Sequence, residues 1–311
     1  MMDFCLFVDT EADFFYKVHS PHFSRVDMLK WHGNKILGRV GRYPRNRKGL
    51  KGLVGFFLDK RLPVTFNIVG HLYLKSCNGF PHFAEVRPKA DWFFKKDWYY
   101  WDKGGDCFIS PGLYLGDFIE ENMKVPFFCL GIHSFSHESY TLEDEDVIFK
   151  SIRAAVISAR NLDVNVEVFD APFNMIEDIK NPEKIFNVLK NNGIKVVAYS
   201  GKDDHLRKLR EYKVSRPIEK YGLVALHISN YVEGTFNSKK INNILNDMEK
   251  YLDKNVVYVL GTHDFTWRNL KNMKRIIDRV MDWERKGFVK IKKFDDYKDL
   301  IFDKKVDFKI K

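Results

Sequence analysis

The chain alternates between short apolar runs and longer segments whose apolar residues recur at helical spacing. Asp3 to Val8, Pro63 to Gly70, Val125 to Ile132, Val164 to Phe169, Ile194 to Tyr199, Leu223 to Ile228 and Val256 to Leu260 are nearly continuous apolar stretches. Such runs read as strands covered on both faces, the condition of a parallel sheet. Helical spacing is predicted between them. It covers about 47 to 60, with Leu50, Val54, Phe57 and Leu58 inward, and a short helix at Asp117 to Met123. Thr141-Leu142-Glu143-Asp144 resembles a capping box, followed by Ile148, Ile152, Ala155, Val156 and Ala159 on one helical face. Pro182 opens a helix that stops at Asn192-Gly193. A charged helix at Asp204 to Tyr212, helices at Ser238 to Leu252 and Arg268 to Lys286, and a last strand at Phe288 to Lys292 complete the pattern. Strand–helix alternation over about seven units predicts a barrel rather than an open sheet.

Two stretches break the rhythm. Residues 14 to 46 are aromatic, basic and irregular, and residues 71 to 115 are crowded with aromatics, Trp98 and Tyr99 among them. The chain is therefore read as a single barrel domain over 1–311 with an aromatic-rich insertion at about 71–115. A long irregular stretch of this kind is either a functional wall or lid, or a satellite cluster covering the barrel.

Composition narrows the function classes. With 311 residues, 45% of them hydrophobic, one large core can form. No basic-then-apolar leader opens the chain, and no apolar run approaches the roughly 20 residues that span a bilayer. A soluble, cytoplasmic protein without a transmembrane segment is expected. Cys5, Cys77, Cys107 and Cys129 form no CxxC pair, so neither a disulfide framework nor a cysteine zinc site is indicated. The net charge is +10, but Lys and Arg sit beside Asp and Glu, as in Glu284-Arg285-Lys286. That is a solvated lysine-rich surface, and no motif supports a nucleic-acid partner.

In parallel α/β folds, functional side chains gather where strands end at their C-terminal edge. Four such ends carry chemistry here: Asp9 to Glu11, His133 to His137, Asp170 to Asn174, and Thr262-His263-Asp264. Neutral imidazoles clamped at a strand end suit a divalent transition metal, although a histidine pair four residues apart also occurs in ordinary loops. Four reactive loops after four buried strands favour a site.

These residues resemble the polysaccharide deacetylases, the NodB-homology or carbohydrate esterase family 4 group. Phe7-Val8-Asp9-Thr10-Glu11 resembles the acid-x-acid first motif, and Val64-Thr65-Phe66-Asn67-Ile68-Val69-Gly70 resembles the A-T-F-F-x-x-G strand. Gly131-Ile132-His133-Ser134-Phe135-Ser136-His137 resembles H-[ST]-x-x-H with its preceding glycine, and Leu260-Gly261-Thr262-His263 sits where the last motif falls. The resemblance implies a distorted parallel (β/α)7 barrel and a metal-dependent hydrolase that removes acetyl from an N-acetylated sugar. Glu11, His133 and His137 would hold the metal, zinc by preference. Asp9 would be the general base and His263 the general acid, with His227 the alternative acid. The backbone N–H of Phe173 would serve the oxyanion. Asp170, Asn174, His71, Trp98 and Tyr99 would line or support the sugar site, the aromatics packing on pyranose rings.

Two positions depart from the family pattern. Glu11 replaces the usual aspartate ligand, and Asp170 stands where an arginine normally orients the base. Pro172-Phe173-Asn174 fits a P-x-N subgroup instead. Alternatives are therefore a hydrolase of another non-peptide C–N amide, or a catalytically inactive carbohydrate-binding barrel. The sequence leaves the sugar, the metal's identity and the oligomeric state open.

Overall fold

A computed structural model describes residues 1–12, 45–78, 86–91, 96–99, 102, 104–110, 112–174, 176, 181–200, 213–232, 236–264 and 269–302. The chain begins with β1 (Met2–Thr10), followed by α1 (Arg45–Lys60) and β2 (Val64–Ile68). A small antiparallel hairpin, β3 (Ser76–Cys77) and β4 (Gly105–Asp106), precedes α2 (Gly116–Asn122) and β5 (Phe128–Ile132). Then come α3 (Glu145–Arg160), β6 (Val168–Phe169), α4 (Pro182–Asn191), β7 (Val196–Tyr199), β8 (Ile218–Lys220) and β9 (Leu223–Val232). The described chain ends with α5 (Ser238–Glu249), β10 (Val257–His263), α6 (Asn269–Arg285) and β11 (Val289–Lys292).

The parallel strands run β10-β1-β2-β5-β6-β7-β9, and β9 pairs with β10 to close the ring. The expected seven-stranded parallel barrel with surrounding helices is the observed architecture. β8 pairs antiparallel with the N-terminal part of β9, from Ile218↔Ala225 to Lys220↔Leu223. β11 lies along the N-terminal half of β1, through Met2↔Val289 to Cys5↔Lys292, while β2 pairs only with the C-terminal half.

Alternation along the strands divides the core in two. Cys5, Phe7, Cys129, Val168, Val196 and Val259 pack together inside the barrel. Phe4, Leu6, Val8, Phe66, Leu130 and Ile132 face the helices, against Ile148, Ile152, Ile277 and Val280 among others. Burial on both faces is why these strands read as unbroken apolar runs.

Three local expectations differ. The strand at 164 to 169 shrinks to Val168–Phe169, and β5 and β6 pair at Ile132↔Phe169 alone. At this seam the Glu167 carboxylate is bonded to Lys195 and Lys298. Thr141 does not cap α3, whose N-cap is Asp144 without a side-chain cap bond. Glu143 instead turns its carboxylate to the Lys89 N–H, and Thr141 Oγ1 lies 3.0 Å from Ser139 Oγ. β8 was not anticipated, because its sequence Ile218-Glu219-Lys220 carries no apolar run. The helix expected at 204 to 212 and most of the 14 to 46 loop lie outside the described residues.

Candidate active site

Strand parity decides what reaches the barrel mouth. Asp9 has the parity of Cys5 and Phe7 on β1, His133 that of Cys129, Asp170 that of Val168, and His263 that of Val257 and Val259. All four are therefore directed to the inner axis at the C-terminal rim, where parallel barrels hold their sites. Glu11, one residue beyond β1, joins them.

The Glu11, His133 and His137 donor atoms lie within 4.8 Å of one another. Glu11 Oε1 is 3.2 Å from His137 Nε2, 3.8 Å from His133 Nε2 and 3.6 Å from His263 Nε2. Burial pushes the Glu11 carboxyl up, but His137, His133 and His263 outweigh it and hold the group well below the usual carboxylate range. Burial lowers His133, and Asp9 and Glu11 more than offset this, raising the imidazole above its ordinary value. His133 Nδ1 is 2.9 Å from the Asp170 carbonyl oxygen, which fixes the tautomer and leaves Nε2 facing Glu11.

This donor set fits a divalent metal. Glu11 Oε2 is buried with no hydrogen-bond partner, an arrangement that is costly unless a cation takes up the lone pairs. Two imidazoles and one carboxylate are a zinc-type set that leaves positions open for water and substrate.

The backbone around these residues is strained. Ala12, Ser134, His137, Phe173 and Asn174 all have positive φ, between 46° and 61°. Non-glycine residues rarely adopt this conformation, and clusters of it mark functional sites. Specific bonds hold it here. The N–H groups of Glu11 and Ala12 donate to the Asp264 carboxylate, at 3.1 Å for Glu11 and 3.2 Å for Ala12. The His137 N–H donates to Ser134 Oγ at 2.9 Å, and the N–H groups of Gly70 and His71 donate to the Ser134 and Phe135 carbonyls. Burial raises Asp264 to about 7.

Glu138 was missed by the sequence reading. Its buried carboxylate accepts from Ser134 Oγ, Ser136 N–H and Ser136 Oγ at 2.9–3.1 Å, and from Ser151 Oγ. It ties the histidine loop to itself and to α3. A glutamate directly after the second histidine, flanked by serines, was the available signal.

Tyr231 was also missed. Its hydroxyl lies 2.9 Å from Asp9 Oδ2 and its ring stacks on His263, centroids 5.4 Å apart at 24°. No sequence signal marks it, because β9 is bulged. Ile228 pairs with Val259 but Asn230 pairs with Leu260, so Ser229 is the extra residue and the alternation shifts by one. Ser229 Oγ accepts from the Val259 N–H at 3.0 Å. Tyr231 thereby faces inward opposite Gly261, where a Cβ would stand 2.6 Å from the tyrosine ring.

Several expected residues are placed elsewhere. His227 lies on the outward face of β9, packed edge-on against Tyr199 at 4.7 Å, and is in none of the metal-capable groups among the described residues. His71 is buried, with Nδ1 3.0 Å from the Leu113 carbonyl and Nε2 2.9 Å from Asp102. Trp98 and Tyr99 are buried as well, and both bond to Ser136. They tie their own segment to the histidine loop, with no open ring face for a sugar. Trp92, Phe93, Phe94, Tyr100 and Trp101 lie outside the described residues. Phe173 packs its ring 4.9 Å from His137, and Asn174 Oδ1 lies 3.1 Å from the Tyr231 hydroxyl.

Among the described residues, no helix is long and apolar enough to cross a membrane. No family model matches the chain, and no curated protein matches its sequence. Solved structures do. A Mycobacterium smegmatis protein described as a polysaccharide deacetylase aligns with TM-score 0.53 at 12% identity, covering 98% of this chain and 95% of its own. The chain has the polysaccharide deacetylase fold. The fold is also that of the Puue allantoinase, with TM-score 0.52 and 11% identity over 90% of this chain and 84% of that one. A 4-alpha-glucanotransferase from Thermococcus litoralis aligns at TM-score 0.50 and 11% identity, over 95% of this chain and 40% of its own. At such identities the likeness is one of fold, and function must be argued from the site.

Proposed function

We propose that this chain is a metal-dependent hydrolase that removes the acetyl group from an N-acetylated sugar. The observation that carries the reading is the convergence of Glu11, His133 and His137 on one point, with Asp9 and His263 beside it at the barrel mouth. Glu11, His133 and His137 would hold the metal, with zinc the ion their donor set suits best. A divalent ion bound there supplies Lewis acidity, polarising the substrate carbonyl and lowering the pKa of a water.

The chain's own residues do the rest. Asp9, buried and not part of the Glu11-His133-His137 donor set, takes the proton of the attacking water. His263 is 18% exposed where Glu11 is 4%, so of these groups it is best placed to exchange protons with solvent. It gives its proton to the departing amine. The N–H of Phe173, carried on a left-handed turn after Pro172, donates to the developing oxyanion. The apolar interior below the rim, with Phe7 and Val168, keeps bulk water from the reacting atoms.

The allantoinase likeness favours one second reading, hydrolysis of a different non-peptide C–N amide on the same scaffold. The test is zinc analysis of purified protein, followed by acetate release from N-acetylglucosamine oligomers and release of product from allantoin. Zinc with acetate release supports the first reading. Allantoin turnover alone moves the assignment to the second, and absence of bound metal after zinc loading overturns the first.

A further inference from the structure

Among the described residues, two side chains donate hydrogen bonds to the Asp9 carboxylate, and both are neutral. Asn67 Nδ2 donates to Oδ1 at 3.3 Å, and the Tyr231 hydroxyl donates to Oδ2 at 2.9 Å. Asn67 is brought to this point by Gly131 on the neighbouring strand, where a Cβ would stand 3.1 Å from the Asn67 amide oxygen. Tyr231 is brought by the β9 bulge and by Gly261. Two inward glycines and one inserted residue thus make room for these two donors.

The tyrosine hydroxyl carries one proton. Donated to Asp9, it leaves a lone pair for the Asn174 side chain 3.1 Å away, which serves as donor through its amide N–H after a half-turn of the amide. Asn174 is itself fixed, its carbonyl accepting from Ser200 Oγ at 2.9 Å. The result is one line of hydrogen bonds, Asn174 to Tyr231 to Asp9, supported from the far side by Asn67. It joins the ends of β6, β9, β1 and β2. The Tyr231 ring, meanwhile, stacks on His263, so a single side chain touches both partners in proton transfer.

We propose that Tyr231 is the positioning residue of this site, holding the Asp9 carboxylate through its hydroxyl and the His263 imidazole through its ring. This rests on the hydrolase reading of the site. Tyr231 itself is not a catalytic residue, since it acts on the water and the leaving group only through Asp9 and His263.

Tyr231→Phe separates the two contacts, since it keeps the ring and removes the hydroxyl. In the zinc-loaded full chain, acetate release from N-acetylglucosamine oligomers is expected to lose roughly 10- to 100-fold in kcat, the scale of a misplaced catalytic group. KM, zinc content and melting temperature are expected to stay at wild-type values, which a merely structural role would not produce. Asn174→Leu, one bond further away, is expected to lose less in kcat than Tyr231→Phe. A Tyr231→Phe enzyme within about twofold of wild-type kcat overturns the proposal, as does a raised KM at unchanged kcat, which would mean direct substrate contact. If the wild-type protein itself releases no acetate, the deacetylase reading falls, and crystal structures of the two zinc-loaded proteins decide the positioning role. A carboxylate that turns away in Tyr231→Phe supports it, and an unmoved Asp9 overturns it.

Discussion

His133 Nδ1 sits 2.9 Å from the carbonyl oxygen of Asp170, and that oxygen can only accept. Nδ1 therefore carries a proton, and Nε2 is turned to the side of Glu11. A ring nitrogen oriented in this way by a backbone carbonyl is what the proposed metal-ligand role of His133 requires. Adding zinc at a hundredfold excess over its Kd should stabilise the wild-type protein by about 2.7 kcal/mol. His133→Ala should show little or no zinc-dependent shift in thermal unfolding. An equal shift in both proteins would remove His133 from the ligand set.

Asp9 and His263 are separable by the leaving group. Asp9→Asn should lower kcat by roughly 10²- to 10⁴-fold on any acetylated substrate while zinc content is retained. His263→Gln should be comparably impaired on an amide but much less so on 4-nitrophenyl acetate, whose leaving group needs no proton. Steady-state kinetics on both substrates checks this. Equal losses for His263→Gln on the two would mean that His263 is not the acid.

Glu138 accepts four donors in the histidine loop and from α3, so Glu138→Gln turns an amide donor towards groups that are themselves donors. The cost should be about 1–3 kcal/mol in unfolding free energy. Because the His137 N–H hangs on Ser134 Oγ, zinc affinity should also weaken by roughly 10- to 100-fold. Denaturant unfolding and competitive zinc titration measure the two effects independently.

Glu143 gives the chain a pH dependence away from the site. Burial pushes its carboxyl up to about 8, and the Lys89 N–H, 2.9 Å away, offsets only part of this. The native state then holds a proton that the unfolded chain gives up at the ordinary carboxylate pKa of about 4.3. The group's contribution is fully present below that value and is lost as the pH rises through about 8. Between pH 5 and 9 the melting temperature of wild type should fall relative to Glu143→Gln. Parallel curves for the two proteins would show that Glu143 ionises normally.

The sequence by itself determined the repeating plan. Strands buried on both faces must be apolar throughout, helices between them must carry one apolar stripe, and side-chain parity then assigns Asp9, His133, Asp170 and His263 to one rim. Those features are local, and they were legible in the order of residues. The carboxylate after the second histidine was also in plain view, but its role depends on Ser151 arriving from α3.

Tertiary structure alone decided the remainder, because those features depend on pairing between segments distant in the chain. The single residue inserted at Ser229 shifts the register against β10, turning Tyr231 inward while His227 keeps the outward parity. No pattern within β9 announces that shift, since it exists only relative to the neighbouring strand. Trp98 and Tyr99 look like sugar platforms in an aromatic-rich stretch, yet Ser136 accepts a hydrogen bond from each and so buries both rings. Parity assigns residues to a face, but which of them meet there is set by long-range contact, and the Asp9–Tyr231–His263 arrangement is of that kind.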